Sequence, residues 1–153
     1  MGKTSNQQSA TGWTDEYIIT YEDFSVASAG TLADRATLEF NYAIPAGSQV
    51  RNVAAHLVTA FDDSGGGDEL NFIVGDDSDD NGYLTTALVH TEETEITYVA
   101  NTGALLDNEN GVVYTAADTI DILFTPDAAT GTPYSLNELT AGKIVFKFDI
   151  AQI

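Results

Sequence analysis

Lys143-Ile144-Val145-Phe146-Lys147-Phe148-Asp149-Ile150 is the stretch on which the fold turns. Ile144, Phe146, Phe148 and Ile150 alternate with Lys143, Lys147 and Asp149, so an extended chain puts four large apolar side chains on one face and the charges on the other. That is the pattern of a strand with one face in a core and the other toward solvent or a partner. The same period recurs upstream. Leu38, Phe40 and Tyr42 alternate with Thr37, Glu39 and Asn41; Leu70, Phe72 and Val74 with Glu69 and Asn71; Ile120, Ile122 and Phe124 with Thr119 and Asp121.

Working outward, residues 49–61 carry Val53, Ala55, Leu57 and Phe61 on one parity and Asn52, Ala54, His56, Val58 and Ala60 on the other. Ala and Leu would also suit a helix over 50–60. The Pro45-Ala46-Gly47 turn before the segment and the Gly-rich acidic loop after it favour a strand. Near the N-terminus, Tyr17, Ile19 and Tyr21 face one way and Ile18, Thr20 and Phe24 fall among the opposite set, which predicts a first strand covered on both sides, placed centrally or under a neighbouring subunit. Weaker strands are expected at 94–99 and 111–114, and a short helix only at 85–93. The connections at 27–30, 62–68, 76–82, 107–111 and 126–133 are rich in Gly, Asp, Asn and Ser, residues that accept φ > 0 or hydrogen-bond their own backbone. About eight strands at short spacing predict an all-β fold: an antiparallel β-sandwich over residues 15–153, with a jelly roll as its specific form. Residues 1–14 are polar apart from Trp13 and lack periodicity, which predicts a flexible, extended N-terminal arm, ordered only on a partner.

Composition narrows the function. The 153 residues are enough for one substantial core, and no apolar run approaches the ~20 residues of a membrane span. With no cysteine there is no disulfide, no thiolate metal site and no thiol nucleophile. The 24 Asp and Glu against five cations, Lys3, Arg35, Arg51, Lys143 and Lys147, give a formal charge of −19 that repels phosphate backbones, so neither nucleic acid nor membrane is expected as a partner.

Four phrases stand in fixed order along the last 110 or so residues: Ile44-Pro45-Ala46-Gly47-Ser48-Gln49-Val50, Gly75-Asp76-Asp77-Ser78-Asp79-Asp80-Asn81-Gly82-Tyr83, Tyr114-Thr115-Ala116-Ala117-Asp118-Thr119-Ile120-Asp121-Ile122 and Leu139-Thr140-Ala141-Gly142-Lys143. Together they resemble a family of small structural proteins of tailed-phage virions, of the capsid-decoration (cement) or head-fibre type. The resemblance implies a non-enzymatic protein of the outer capsid surface that binds the major capsid protein and assembles as a homo-oligomer, with trimers at lattice symmetry points. An alternative is a fibre or tail-tip module binding host-surface carbohydrate, which would need exposed aromatic faces; Tyr83, Tyr98, Tyr114 and Tyr134 stand near turns.

Three constellations bear on chemistry. Asp77-Ser78-Asp79-Asp80-Asn81-Gly82 matches the front half of a calcium loop, making Asp77, Asp79 and Asn81 the candidate ligands, but Leu88 stands where a bidentate Glu is needed. No cofactor is therefore expected, and turn-forming side chains that satisfy local backbone donors explain the segment. The acidic pairs Asp62-Asp63 with Asp68-Glu69, and Asp107 with Glu109, could supply the two carboxyls of a glycoside hydrolase, yet they read more simply as solvated turn residues. His56 and His90, the two histidines, belong to no catalytic motif, so no catalytic residue is assigned. Partner contacts are expected at Trp13, an amphipathic ring at the junction of arm and first strand, and at Lys143 and Lys147 on the polar face of the last strand.

Overall fold

A computed structural model describes residues 2–5, 12–27, 37–63, 70–88, 96–99, 103–106, 111–126 and 136–153. Among the described residues, ten strands and one α-helix follow in the order β1 (Gly2–Ser5), β2 (Asp15–Thr20), α1 (Tyr21–Ala27), β3 (Leu38–Ile44), β4 (Ser48–Asp63), β5 (Leu70–Asp76), β6 (Asp79–Leu88), β7 (Ile96–Val99), β8 (Val112–Tyr114), β9 (Asp118–Pro126) and β10 (Leu139–Gln152). They form two sheets, antiparallel throughout. One has six strands in the order β1-β2-β10-β4-β7, with β8 also paired to β4; the other has four in the order β3-β9-β5-β6.

The alternation read in the sequence is the burial seen in the fold. In β10, Ile144, Phe146 and Phe148 are buried and their odd-numbered neighbours are not; in β3, Leu38, Phe40, Tyr42 and Ile44 are buried and the residues between them exposed. The inner faces meet through rings in edge-on or tilted contact: Phe72 against Phe146 with centroids 5.5 Å apart, Tyr42 against Phe148 at 4.7 Å and Tyr17 against Tyr42 at 5.7 Å. Phe124 lies at the centre of this layer, touching rings from both sheets and from α1. Such ring pairs add about 0.5–1.5 kcal/mol each beyond the area they bury.

Four expectations are corrected. The first strand stops at Thr20, and Tyr21–Ala27 is helical. Thr20 is the reason: its backbone N–H and hydroxyl both donate to the Asp23 carboxylate, at 2.8 and 3.1 Å, a capping arrangement that starts a helix. Helix α1 then turns Phe24, fully buried, onto Phe40, Phe61 and Phe124. Second, within one chain β2 is covered on its inner face alone, although it lies inside the sheet, between β1 and β10, as expected. Third, residues 85–88 of the expected helix belong to β6, whose ladder with β5 pairs Ala87 with Phe72 and Leu88 with Asn71; residues 89–93 lie outside the described residues. Fourth, 76–82 is less a loop than a tight turn, with Asp76 paired to Asp79 and Asp77-Ser78 at the tip. The strands expected at 94–99 and 111–114 are present as β7 and β8, and β1 and β6 raise the expected eight to ten.

Within the stretch read as an arm, Gly2–Ser5 pair with β2, Gly2 opposite Ile18 and Ser5 opposite Asp15. Close to β2, the Thr14 N–H and hydroxyl both donate to the Phe148 carbonyl, at 2.8 and 3.1 Å, which ties the chain to β10 before the strand begins.

Candidate functional site

Three of the four phrases meet at one end of the sandwich. Residues 44–50 carry the chain from β3 in the four-stranded sheet to β4 in the six-stranded one, residues 75–83 form the β5–β6 turn, and residues 114–122 carry it from β8 back to β9. At the first crossing Gly47 has φ 79°, a conformation open to glycine at little cost. Its N–H donates to the Tyr114 carbonyl at 2.8 Å, and its own carbonyl accepts from the Ile153 N–H at 2.8 Å. Ser48 is fully buried; its hydroxyl donates to the Pro45 carbonyl and accepts from the Gln152 side-chain amide, both at 2.6 Å.

Asp76 joins these crossings to the β5–β6 turn. Its carboxylate is 3% exposed. One oxygen accepts from the Ser78 N–H, the Ser78 hydroxyl and the Asp79 N–H at 2.9, 2.6 and 3.1 Å; the other accepts from the Tyr114 hydroxyl at 2.6 Å. Tyr114 has spent its proton on Asp76, so the fully buried Tyr83 hydroxyl donates to the Tyr114 oxygen. Burial acts to raise the Asp76 pKa, but the bonds from Ser78, Tyr114 and the two backbone N–H groups prevail and hold it below the ordinary 3.8. Tyr114 is pushed far up by burial and then by its hydrogen bond to Asp76, and Tyr83 by burial against the lowering effect of its bond to Tyr114, so both stay neutral donors at physiological pH. The result is a rigid clasp that binds β8, in one sheet, to the β5–β6 hairpin in the other.

That geometry bears on two sequence candidates. Tyr83 and Tyr114 do not offer ring faces to a glycan, since both are buried in the clasp; Tyr98 and Tyr134 lie outside the side chains described. Asp77 and Asn81 are exposed and Asp79 half-buried at the start of β6, and among the described residues no group of three or more His, Asp or Glu converges as a metal site would need. The turn is organised by Asp76, one residue before the motif. The sequence reading counted Asp76 among the turn residues of 76–82 without singling it out, although Asp-x-Ser, a carboxylate two residues ahead of a donor, is the signal of an Asx turn.

Near the tip of this turn, Asp121 of β9 is buried with its carboxylate accepting from the Thr119 hydroxyl at 2.5 Å. Burial, then the charges of Glu39, Asp77 and Asp118, raise its pKa despite that bond. The outer face of the four-stranded sheet is therefore crowded with negative charge.

The outer face of the six-stranded sheet differs. The Lys and Arg residues whose side chains are described, Arg51, Lys143 and Lys147, all stand there. Arg51 pairs with Asp149 at 2.6 Å, and Lys147 with Glu16 at 3.5 Å; exposed pairs of this kind are worth about 0–1 kcal/mol. Beside them Ile18, Val145 and His56 sit in one cross-strand row, all half-buried, with Val58 and Val113 exposed farther along β4 and on β8. Lys143 and Lys147 thus share a surface, as the strand parity predicts; Trp13, half-buried, stands just before β2, toward the Asp15 end of that strand. Of the candidate acidic pairs, Asp62 and Asp63 are the end of β4, opposite Ala141 and Leu139, and their proposed companions lie outside the described residues.

No protein-family model, curated protein or solved structure matches the chain.

Proposed function

We propose that this protein is a non-enzymatic virion component that binds the outer surface of a tailed-phage capsid and stabilises it. The observation that carries the reading is the strand order. The strands pair β2–β10, β3–β9, β4 with β7 and β8, and β5–β6, as a single long hairpin would with its tip at Asp77-Ser78. Wrapping that hairpin gives the orders β2-β10-β4-β7 and β3-β9-β5-β6, which we read as a jelly roll, an architecture common among capsid proteins. Fold analogy alone would be a weak warrant. It is joined by the four phrases, each of which falls at a crossing, a hairpin or the bulged start of β10, where a wrapped hairpin needs specific turn chemistry.

Contacts to the major capsid protein or to further copies run through Trp13 and the strand face that holds Lys143 and Lys147. Binding the assembled lattice alone stabilises that state by mass action, and many copies multiply a modest contact. The test is quantitative mass spectrometry of purified particles of the phage that encodes the chain. Hundreds of copies per particle are expected; a handful would assign the protein to a fibre or tail tip, and its absence from particles would overturn the reading.

A further inference from the structure

Two copies of a chain with a charge of −19 repel one another over most of their surfaces, and a stable contact needs a face where that repulsion is locally cancelled. The outer face of the six-stranded sheet meets that condition. Arg51, Lys143 and Lys147 stand with Glu16 and Asp149 around Ile18, Val145, Val58 and Val113. The opposite sheet presents Glu39 beside the crowded Asp121.

We propose that this face is a docking surface for a second copy of the same chain, packed outer sheet on outer sheet about a two-fold axis. Three observations select that occupant. The first is self-complementarity along β10. The outward residues run Lys143, Val145, Lys147, Asp149, and among the described residues no carboxylate pairs with Lys143. A two-fold axis at Phe146 lays Lys143 of each copy over Asp149 of the other, and Val145 over the apolar stem of the other copy's Lys147. The second is charge placement. Sheet-on-sheet packing puts both acidic four-stranded sheets on the outside, as far apart as the two molecules allow, well beyond the ~8 Å over which charge acts at physiological salt. The third is size. With β10 at 14 residues and β4 at 16, the face is about 45 Å long and three to four strands wide. That is roughly 600–900 Å² per copy, around the ~800 Å² per partner of a stable interface. The half-buried row of Ile18, Val145 and His56 crosses its middle between Lys143 and Lys147, and Val58 and Val113 lie toward its two ends.

This surface rests on the reading above, which places copy contacts on the same face, and it is tested on the free protein so that its failure is distinguishable from absence of the chain from purified particles. Sedimentation equilibrium of the purified full chain tests it. The parent is expected to sediment as a dimer, twice the mass of one chain. Val145→Lys sets a lysine against Lys147 of the other copy on both sides of the axis and should weaken dimerisation at least tenfold. Lys143→Glu should weaken it less, and Glu39→Lys, on the far sheet, not at all. Circular dichroism on each variant checks folding, and Lys143→Glu, at a half-buried outward position, covers the case in which Val145→Lys does not fold. A parent that is monomeric or trimeric, or a dimer that Val145→Lys or Lys143→Glu leaves unchanged while folded, would overturn the proposal.

Discussion

Replacing Asp76 with alanine tests the clasp most directly, because one side chain holds four donors. The Ser78 N–H and hydroxyl are at the exposed tip of the turn, where water can take over from the carboxylate at modest cost. The Tyr114 hydroxyl cannot be rescued so easily. It is buried, its acceptor would be gone, and a stranded buried donor costs about 1–3 kcal/mol. Losing the charge-assisted bonds to the two turn N–H groups adds about 1–2 kcal/mol, so Asp76→Ala should lose roughly 2–5 kcal/mol of the ~5–15 that holds a domain together. Asp76→Asn keeps an acceptor for Tyr114 and should lose less. Urea unfolding at neutral pH measures both. An Asp76→Ala variant within about half a kcal/mol of the parent would refute the account, since that is the range of an ordinary surface change. The same carboxylate has a pH signature. Its folded pKa is below 3.8, so its contribution is complete above that value and is lost as pH falls through the lower folded one. Asp121 has the opposite sign: its folded pKa is raised, so its charge burdens the fold near neutrality and stability is gained as pH falls toward 3.8. Stability should therefore rise slightly on mild acidification and then drop. Asp121→Asn should remove the rise, and Asp76→Asn part of the drop.

Phe146→Ala should cost about 3–5 kcal/mol in denaturant titrations, because the ring is fully buried against Phe72 and Phe124, whereas Lys147→Glu on the outer face should stay within about half a kcal/mol of the parent. Gly142→Ala should destabilise by about 1–3 kcal/mol and lower the thermal midpoint, since φ is 140° there and a Cβ would overlap the Phe61 ring. Millimolar Ca²⁺ is expected to leave the thermal midpoint where it is; a rise of several degrees that disappears in Asp77→Ala or Asp79→Ala would show a specific site.

The sequence by itself determined the strands whose two faces differ. β3, β4, β5, β9 and β10 could be read from a period of two because each has one buried face, and register is then set by the burial of every second side chain. It also placed Lys143 and Lys147 on a common outward face, since parity within one strand is a local property. Where the signal lay in a hydrogen bond instead of a period, the reading failed: Thr20 and Asp23 start a helix through a carboxylate-to-backbone bond, and Phe24 had been counted with a strand. β6 was hidden because its ladder with β5 is broken by register shifts, which disrupt the alternation. Only the tertiary structure decided which strands are neighbours, because pairs such as β2 with β10 or β3 with β9 join segments far apart in the chain and depend on how the two sheets close over one core. For the same reason it alone brought Asp76, Tyr83 and Tyr114 together and gathered Arg51, Lys143 and Lys147 on one sheet: strand parity fixes the face a side chain points to, while long-range pairing fixes what stands beside it.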